Sequence, residues 1–209
     1  FYGLEFAVNR DVLIPRQETE LLVDLALEYI SNRRTNGSEP VHMVADVCTG
    51  SGAVGISTAF SCPNIRVEAT DISDAALEVA ERNARTHNVA DRVSFVRSDL
   101  MSGAPGPFDL ILCNPPYIPI GMLKTLAVEV RNEPRIALDG GLDGLEVFRR
   151  LLEQCRASLD EYGALMVELM PEQMDMALGL ARESFPNAEV GYSEDPAGNP
   201  RTLTVYSGG

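Results

Sequence analysis

The chain has 209 residues, 45% of them apolar, which describes one globular domain with room for at most a small appendage. Its 17 Lys and Arg stand against 31 Asp and Glu, and a net charge of −14 argues against a surface that grips a phosphate backbone. No run reaches the roughly eighteen apolar residues of a membrane span, and no secretory leader opens the sequence. Cys48, Cys62, Cys113 and Cys155 lie far apart, with only His42 and His87 to join them. Neither a disulfide framework nor a structural zinc site is supported, and a reducing, cytoplasmic setting fits best. The first residue is Phe1 rather than Met, which leaves room for domains upstream.

Residues 1–15 alternate loosely (Leu4, Phe6, Val8, Val12, Leu13, Ile14) and predict a short hairpin ending at Pro15. From Glu18 to Ile30 the apolar positions Leu21, Leu22, Leu25, Ala26, Tyr29 and Ile30 have helical spacing. Asn32 to Pro40 is polar, with Gly37 and Pro40 as breakers, and reads as a loop. Strands and helices then alternate. Strands are predicted over 43–47, 66–70, 93–96 and 108–113, and helices over 53–60 and 74–86, the second capped by Ser73 or Asp74. A helix over 145–159, a strand over 164–169 and a helix over 172–183 follow. Two last strands, 188–192 and 203–206, are separated only by the turn-rich segment 195–200. Short apolar runs between helices imply a parallel sheet covered on both faces. The final pair, with no helix between its members, should run antiparallel at one edge. Ligands in such a sheet bind at the carboxyl ends of the strands.

The first of these strands ends in Asp46-Val47-Cys48-Thr49-Gly50-Ser51-Gly52-Ala53-Val54-Gly55. Gly50, Gly52 and Gly55 satisfy GxGxxG, and Asp71-Ile72 sits at the tip of the next strand. Glycines let the backbone turn sharply beside a ligand, and the following helix presents free N–H groups. An acid at the tip of the second strand can accept both hydroxyls of a ribose. Cys48, Thr49, Gly50, Ser51, Gly52, Asp71 and Ile72 are therefore candidate contacts for an adenosine-like cofactor. Asp46, ahead of the turn, is placed to receive an ammonium group, which favours S-adenosylmethionine over NAD. Asp99 and Leu100, just after the third strand, are candidate contacts to adenine.

The fourth strand stops at Asn114-Pro115-Pro116-Tyr117. Two prolines end the ladder and stiffen the backbone. The Asn114 side-chain oxygen and the Pro115 carbonyl then form a fixed pair of acceptors, with the Tyr117 ring beyond. That pair suits a planar NH₂ group, whose nitrogen is a poor nucleophile because its lone pair is delocalised. Accepting both hydrogens orients the nitrogen and favours charge building on it as a methyl group arrives. No basic side chain need remove the proton first. Asn114, Pro115, Pro116 and Tyr117 are the candidate catalytic group.

These motifs, with Phe1-Tyr2-Gly3-Leu4-Glu5-Phe6, Val12-Leu13-Ile14-Pro15-Arg16-Gln17-Glu18-Thr19-Glu20, Ser98-Asp99-Leu100, Glu133-Pro134, Ala137-Leu138 and Gly140-Gly141-Leu142-Asp143-Gly144-Leu145, resemble the HemK/PrmC family over essentially the whole chain. Members are protein-(glutamine-N5) methyltransferases that use S-adenosylmethionine and release S-adenosylhomocysteine. The resemblance implies an α/β class I methyltransferase fold, a Rossmann-like seven-stranded sheet with its last strand antiparallel. It implies cofactor contacts from the glycine turn, Asp71, the Asp99-Leu100 region and Asn114, and a substrate glutamine held by the Asn114 to Tyr117 loop. The substrate protein is expected to be a peptide chain release factor, with no membrane or direct nucleic-acid partner. The family's small N-terminal helical domain is missing, so the chain is expected to be the catalytic domain, with 1–40 as hairpin, helix and linker and 41–209 as the methyltransferase domain.

Two positions depart from the family pattern. Gln17 stands where Pro is usual, and Cys48 replaces the first glycine of the turn, which is tolerable if its φ is negative. Cys48 also resembles the sister group that methylates a glutamine of a ribosomal protein, whereas Arg16 to Glu20 is closer to the release-factor group. Arg16, Glu18 and Thr19 are candidate pocket residues, although Glu18 and Glu20 also suit a helix first turn. Glu129 and Glu133 are candidate contacts to the substrate or a closing lid, although solvated charges are the commoner explanation, and His42 and His87 read as structural or exposed. Competing functions are a nicotinamide-dependent oxidoreductase, prompted by the glycine pattern, methylation of amino groups in nucleic acid, and a binding-only pseudoenzyme.

Overall fold

Strands β1 (Met43–Val47), β2 (Arg66–Asp71), β3 (Val93–Arg97), β4 (Phe108–Cys113), β5 (Leu159–Glu168), β6 (Glu189–Glu194) and β7 (Pro200–Tyr206) form one sheet in the order β3-β2-β1-β4-β5-β7-β6. This is a computed structural model, and it describes residues 1–35, 39–104 and 106–208. The first five strands run parallel, and β7 runs antiparallel to both β5 and β6. The expected sheet is thus present, with the last strand inserted between β5 and the edge strand β6. The β6–β7 turn is tied by Asp195, whose Oδ1 accepts from the Ala197 and Asn199 N–H groups at 2.9 Å.

The centre of the sheet is apolar on both sides. In β4, Leu110 and Leu112 face one core and Ile111 and Cys113 the other, which explains a continuous apolar run rather than alternation. Each of these leucines contributes about 1.5–3 kcal/mol by leaving water. Helices α1 (Glu20–Thr35) and α2 (Ala53–Ser61) cover the first face with Leu22, Val23, Ala26, Ile56 and Ala59. Helix α3 (Asp74–Thr86) adds Ala84 there and is capped by Ser73, whose Oγ accepts from the Ala76 N–H. Below α4 (Val128–Arg131) in chain order, α5 (Glu146–Ser158) and α6 (Met174–Ser184) cover the second face with Phe148, Leu151, Leu152, Ala177 and Ala181.

Two N-terminal expectations need correction. Residues 1–16 form turns and coil, not a hairpin. Their backbone groups are met by side chains of the domain: the Ala7 N–H donates to Asn83 Oδ1 at 2.9 Å, Asn83 Nδ2 donates to the Ala7 carbonyl, and the Tyr2 N–H donates to Glu20 Oε1 at 2.6 Å. Of the alternating residues, Phe6 packs with Phe1 and Tyr2 onto the helical layer and Val12 is buried, while Val8 and Ile14 are exposed. Helix α1 follows a 3-10 turn at Gln17–Thr19 and extends to Thr35, so the loop predicted from Asn32 starts later. Residues 36–38, Gly37 included, lie outside the described residues.

The sheet order reverses between β1 and β4, so the carboxyl ends of β1, β2 and β4 meet at the switch point where such sheets bind ligands.

Candidate functional site

At that switch point β1 delivers Asp46, only 2% exposed, into the base of the glycine turn. Its Oδ2 accepts from Thr49 Oγ1 at 2.6 Å and from the Gly55 N–H at 2.9 Å. Burial outweighs these two bonds and pushes its pKa up to about 6. Asp46 lines the cavity but is first a brace for the turn. Across from it, Asp71 accepts from the Gly50 N–H on Oδ2 and the Ser73 N–H on Oδ1, each at 2.9 Å. Burial raises its pKa as well. Each carboxylate oxygen keeps further lone-pair capacity toward the cavity, as a ribose diol requires.

The same bonds bear on the nicotinamide alternative. The N–H groups of Thr49, Gly50, Gly52 and Gly55 are all engaged within the protein. A pyrophosphate would compete with two buried carboxylates for the turn. The negative charge there favours a cationic ligand instead.

Turn geometry corrects one further expectation. Cys48 sits at φ +61°, in the left-handed region, so its side chain does carry backbone strain. Gly52, at φ +82°, caps α2, and a Cβ there would meet Ile56 Cδ1 at 2.6 Å.

The cavity has a volume of about 750 Å³, within the usual range of about 300–1,000 Å³ for small-molecule sites. It gathers Asp46, Cys48, Thr49, Gly50 and Ser51 from the turn, Asp71 and Ile72 from the β2 tip, Asp99 and Leu100 after β3, and Asn114 and Pro116 after β4. Gly52, Pro115 and Tyr117 do not line it. Leu100 adopts φ +56°, local strain of the kind found at binding sites. Asp99 Oδ2 is ion-paired with Arg150 on α5, so the residue predicted to meet adenine already shares its charge. Asp11, Asp139 and Glu146 add carboxylates against only Arg135 and Arg150, and Arg135 itself pairs with Asp139 at 2.9 Å.

The Asn114 to Tyr117 loop is held from three sides. Asn114 Nδ2 donates to Thr19 Oγ1 at 3.2 Å, which leaves Oδ1 as the end of the amide offered to the cavity. The Tyr117 hydroxyl donates to Glu168 Oε1 at 3.1 Å, and burial together with that carboxylate raises the phenol pKa. The Tyr117 ring is thus turned back toward the end of β5, away from the expected stacking position over the cavity. Gln173 Nε2 donates to the Tyr117 carbonyl at 2.8 Å and to the Asp143 carbonyl at 3.1 Å. Gly144, at φ +79°, abuts the same carbonyl, and a Cβ there would lie 2.2 Å from it. The Gly140 to Leu145 segment is therefore the seat of the loop.

Beyond the loop, Ile118 pairs with 138–140: its N–H reaches the Leu138 carbonyl and its carbonyl takes the Gly140 N–H, both at 2.9 Å. The intervening flap is pinned to the N-terminal segment by Arg16 and Glu133, 2.6 Å apart. Glu133 is no solvated charge: its side chain is 6% exposed. Glu129 is exposed, as expected. Of Arg16, Glu18 and Thr19, only Thr19 lines the cavity, and Gln17 is exposed at the start of its 3-10 turn. Sequence reasoning missed Pro15, Ile136, Leu142, Glu146 and Arg150 as cavity residues. Glu146 and Arg150 lie one helical turn apart on α5, a spacing that marks one face; nothing in the sequence shows that this face meets the switch point.

Residues 24–131 match the family model for the methyltransferase small domain. The chain is 41% identical over 209 residues to a release factor glutamine methyltransferase of Moorella thermoacetica, covering 99% of this chain and 71% of that protein. It is 39% identical over 170 residues to a ribosomal protein uL3 glutamine methyltransferase of Bradyrhizobium diazoefficiens, covering 80% and 53%. The crystal structure of a methyltransferase from Pyrococcus furiosus shares the fold, with a TM-score of 0.71 at 20% identity over 99% of this chain and 90% of that one.

Proposed function

The chain belongs to the release factor glutamine methyltransferases, and from that premise we propose that it methylates the side-chain amide nitrogen (N5) of a glutamine in a peptide chain release factor. S-adenosylmethionine, the cofactor, supplies an electrophilic methyl group on a sulfonium centre. The residues present suit it: the lining is rich in carboxylates, and the Thr49, Gly50, Gly52 and Gly55 amides of the turn are engaged within the protein. Asp71 would take the ribose hydroxyls, Asp99 and Leu100 the adenine edge, and Asp46 with the Cys48 to Gly52 turn the amino-acid end. These carboxylates hold a positively charged ligand at the rim without a metal-ligand cluster among the described residues.

The observation that carries this reading is the orientation of Asn114. With Nδ2 donating to Thr19, the oxygen is the end of the amide left for a ligand, and Asn114 lines the cavity at the tip of β4. An amide N–H₂ entering there would meet Asn114 Oδ1 as its acceptor, while Pro115, buried behind the lining, and Pro116 keep the backbone stiff and Tyr117 anchors the loop from behind. The acceptor would steer the nitrogen and stabilise the charge it gains, and the proton leaves afterwards to water.

A protein substrate also suits the mouth of the site. Ile120, Ile136 and Leu142 line the cavity yet are 42%, 56% and 82% exposed, an apolar rim that a polypeptide segment would cover. The acidic character weighs against nucleic acid. Residues 1–19 serve as a strap that delivers Arg16 and Thr19 to the methyltransferase domain, in a cytoplasmic enzyme.

The relative acting on ribosomal protein uL3 keeps that glutamine as a second reading. Mass spectrometry after incubation with S-adenosylmethionine and either protein separates them. One added methyl on the release-factor glutamine is expected. Modification of the ribosomal protein alone would replace the first reading by the second, and no modification of either would overturn both.

A further inference from the structure

Glu168 ends β5 directly behind the Asn114 to Tyr117 loop, 1% exposed, and burial pushes its pKa up. It faces the Tyr117 and Thr19 hydroxyls, Arg201 and Glu18. Oε1 accepts from Tyr117, and Oε2 is buried without a formed hydrogen bond. The Thr19 hydroxyl, which favours the charged form of this carboxylate, is the donor positioned to serve it. No part of the cavity lining includes Glu168.

We propose that Glu168 is a positioning residue that fixes, through the Thr19 hydroxyl, which end of the Asn114 amide faces the substrate. The logic is one of hydrogen-bond polarity. In its ionised form, which Thr19, Tyr117 and Arg201 favour against burial, the Glu168 carboxylate only accepts, whereas a threonine hydroxyl has one hydrogen and two lone pairs. Facing Glu168, Thr19 directs its hydrogen to the carboxylate and keeps its lone pairs for Asn114. Asn114 must then offer Nδ2, as it does at 3.2 Å, and Oδ1 is left for the incoming amide. Were the polarity reversed, the Thr19 hydrogen would claim Oδ1, and the clamp would present N–H groups to N–H groups. The same carboxylate holds Tyr117, so both ends of the loop answer to one buried charge.

This inference rests on the methyl-transfer reading, and two isosteric substitutions test it. Thr19→Val removes the relay, and Glu168→Gln permits an NH₂ group to face Thr19 and invert the chain of donors. Each is expected to lower kcat by about 10- to 100-fold while leaving the S-adenosylhomocysteine dissociation constant unchanged. Because both act on one orientation, the double variant should be no slower than the slower single variant. Thr19→Ser should recover most of the rate lost in Thr19→Val. Calorimetry with S-adenosylhomocysteine confirms that each variant is folded, and the Thr19 pair suffices if Glu168→Gln does not fold. Wild-type turnover by Thr19→Val, losses that multiply in the double variant, or a loss confined to cofactor affinity would overturn the proposal. If the wild-type enzyme leaves glutamine unmodified, the parent reading fails instead.

Discussion

Replacing Cys48 by glycine and, separately, by alanine isolates the strain in the cofactor turn. Cys48 sits at φ +61°, where a Cβ costs roughly 1–2 kcal/mol. Glycine removes that cost, and alanine keeps it. Glycine in turn gives the unfolded chain more freedom, which costs about 0.4–1 kcal/mol relative to alanine. Both variants lose the same thiol, so its packing against the adjoining apolar cluster cancels in the comparison. The remainder favours Cys48→Gly over Cys48→Ala by roughly 0.8 kcal/mol, which for a chain of this size raises Tm by about 2–3 °C. At a position of ordinary negative φ the order would be the opposite. Thermal unfolding of the two purified variants without ligand, followed by circular dichroism, reads the sign directly. An alanine variant that melts at or above the glycine variant would refute the left-handed geometry and with it the account of the turn.

The site reading makes three further predictions. Asn114→Ala should lower kcat by about 10²–10³-fold, or 2.7–4 kcal/mol in the barrier, with little change in S-adenosylhomocysteine affinity; timed mass spectrometry of the substrate protein measures it, and an unaffected rate removes Asn114 from the clamp. Asp71→Ala loses charge-assisted bonds of about 1.5–3 kcal/mol and should weaken cofactor binding by roughly 10- to 100-fold in calorimetry, while an unchanged dissociation constant would exclude it from the ribose. Asp46, with its pKa pushed up to about 6, loses its charge on acidification, so the preference for cationic S-adenosylmethionine over S-adenosylhomocysteine should shrink below about pH 6, and a constant ratio across that range would show that its charge is not felt. In stability the sign is the reverse of the usual carboxylate: the native state binds this proton more tightly than the unfolded chain does, so the Asp46 contribution grows as pH falls from about 6 toward 4, and Asp46→Asn should flatten that dependence.

Much of this site is legible in the sequence because its parts lie where strands end. A short apolar run followed by glycines, or by two prolines, announces both the strand and the rim. Asp71 is recognisable for the same reason, since it is the last residue of β2. What escaped the sequence depends on elements far apart in the chain. The bond between Asn114 and Thr19 spans 95 residues, and that between Arg16 and Glu133 spans 117. Neither has a local signature, so Glu133 reads as a surface acid and Thr19 as one of several pocket candidates. The N-terminal segment misleads for a related reason: its alternation matches a hairpin, but its partners are Asn83 and Glu20 rather than itself. The sign of φ at Cys48 belongs to the turn as folded, and a cysteine in the sequence points the wrong way.

The separation of charge in the cavity explains why the chemistry needs no base. Carboxylates gather at the turn and at the β2 tip, where the sulfonium would lie, whereas the β4 tip offers the neutral amide of Asn114. Neither histidine lines the cavity: His42 precedes β1 at the opposite end of that strand, and His87 Nε2 is bonded to the Glu5 carbonyl at 2.8 Å. A neutral amide has no lone pair free for attack, and removing its proton beforehand would require a base far stronger than any carboxylate. Once the nitrogen has taken the methyl group, however, its proton is strongly acidic and water removes it. The barrier therefore lies in bringing the nitrogen lone pair out of conjugation and toward the methyl carbon. In the proposed reaction a rigid Asn114 acceptor would lower it by holding an N–H bond in place and by favouring the charge that develops, at no cost of reorganisation. A carboxylate in place of Asn114 would favour that charge more strongly, but it would also bind stray cations in the resting enzyme. A neutral clamp backed by a buried acid gives direction to the amide while keeping its negative charge out of the cavity.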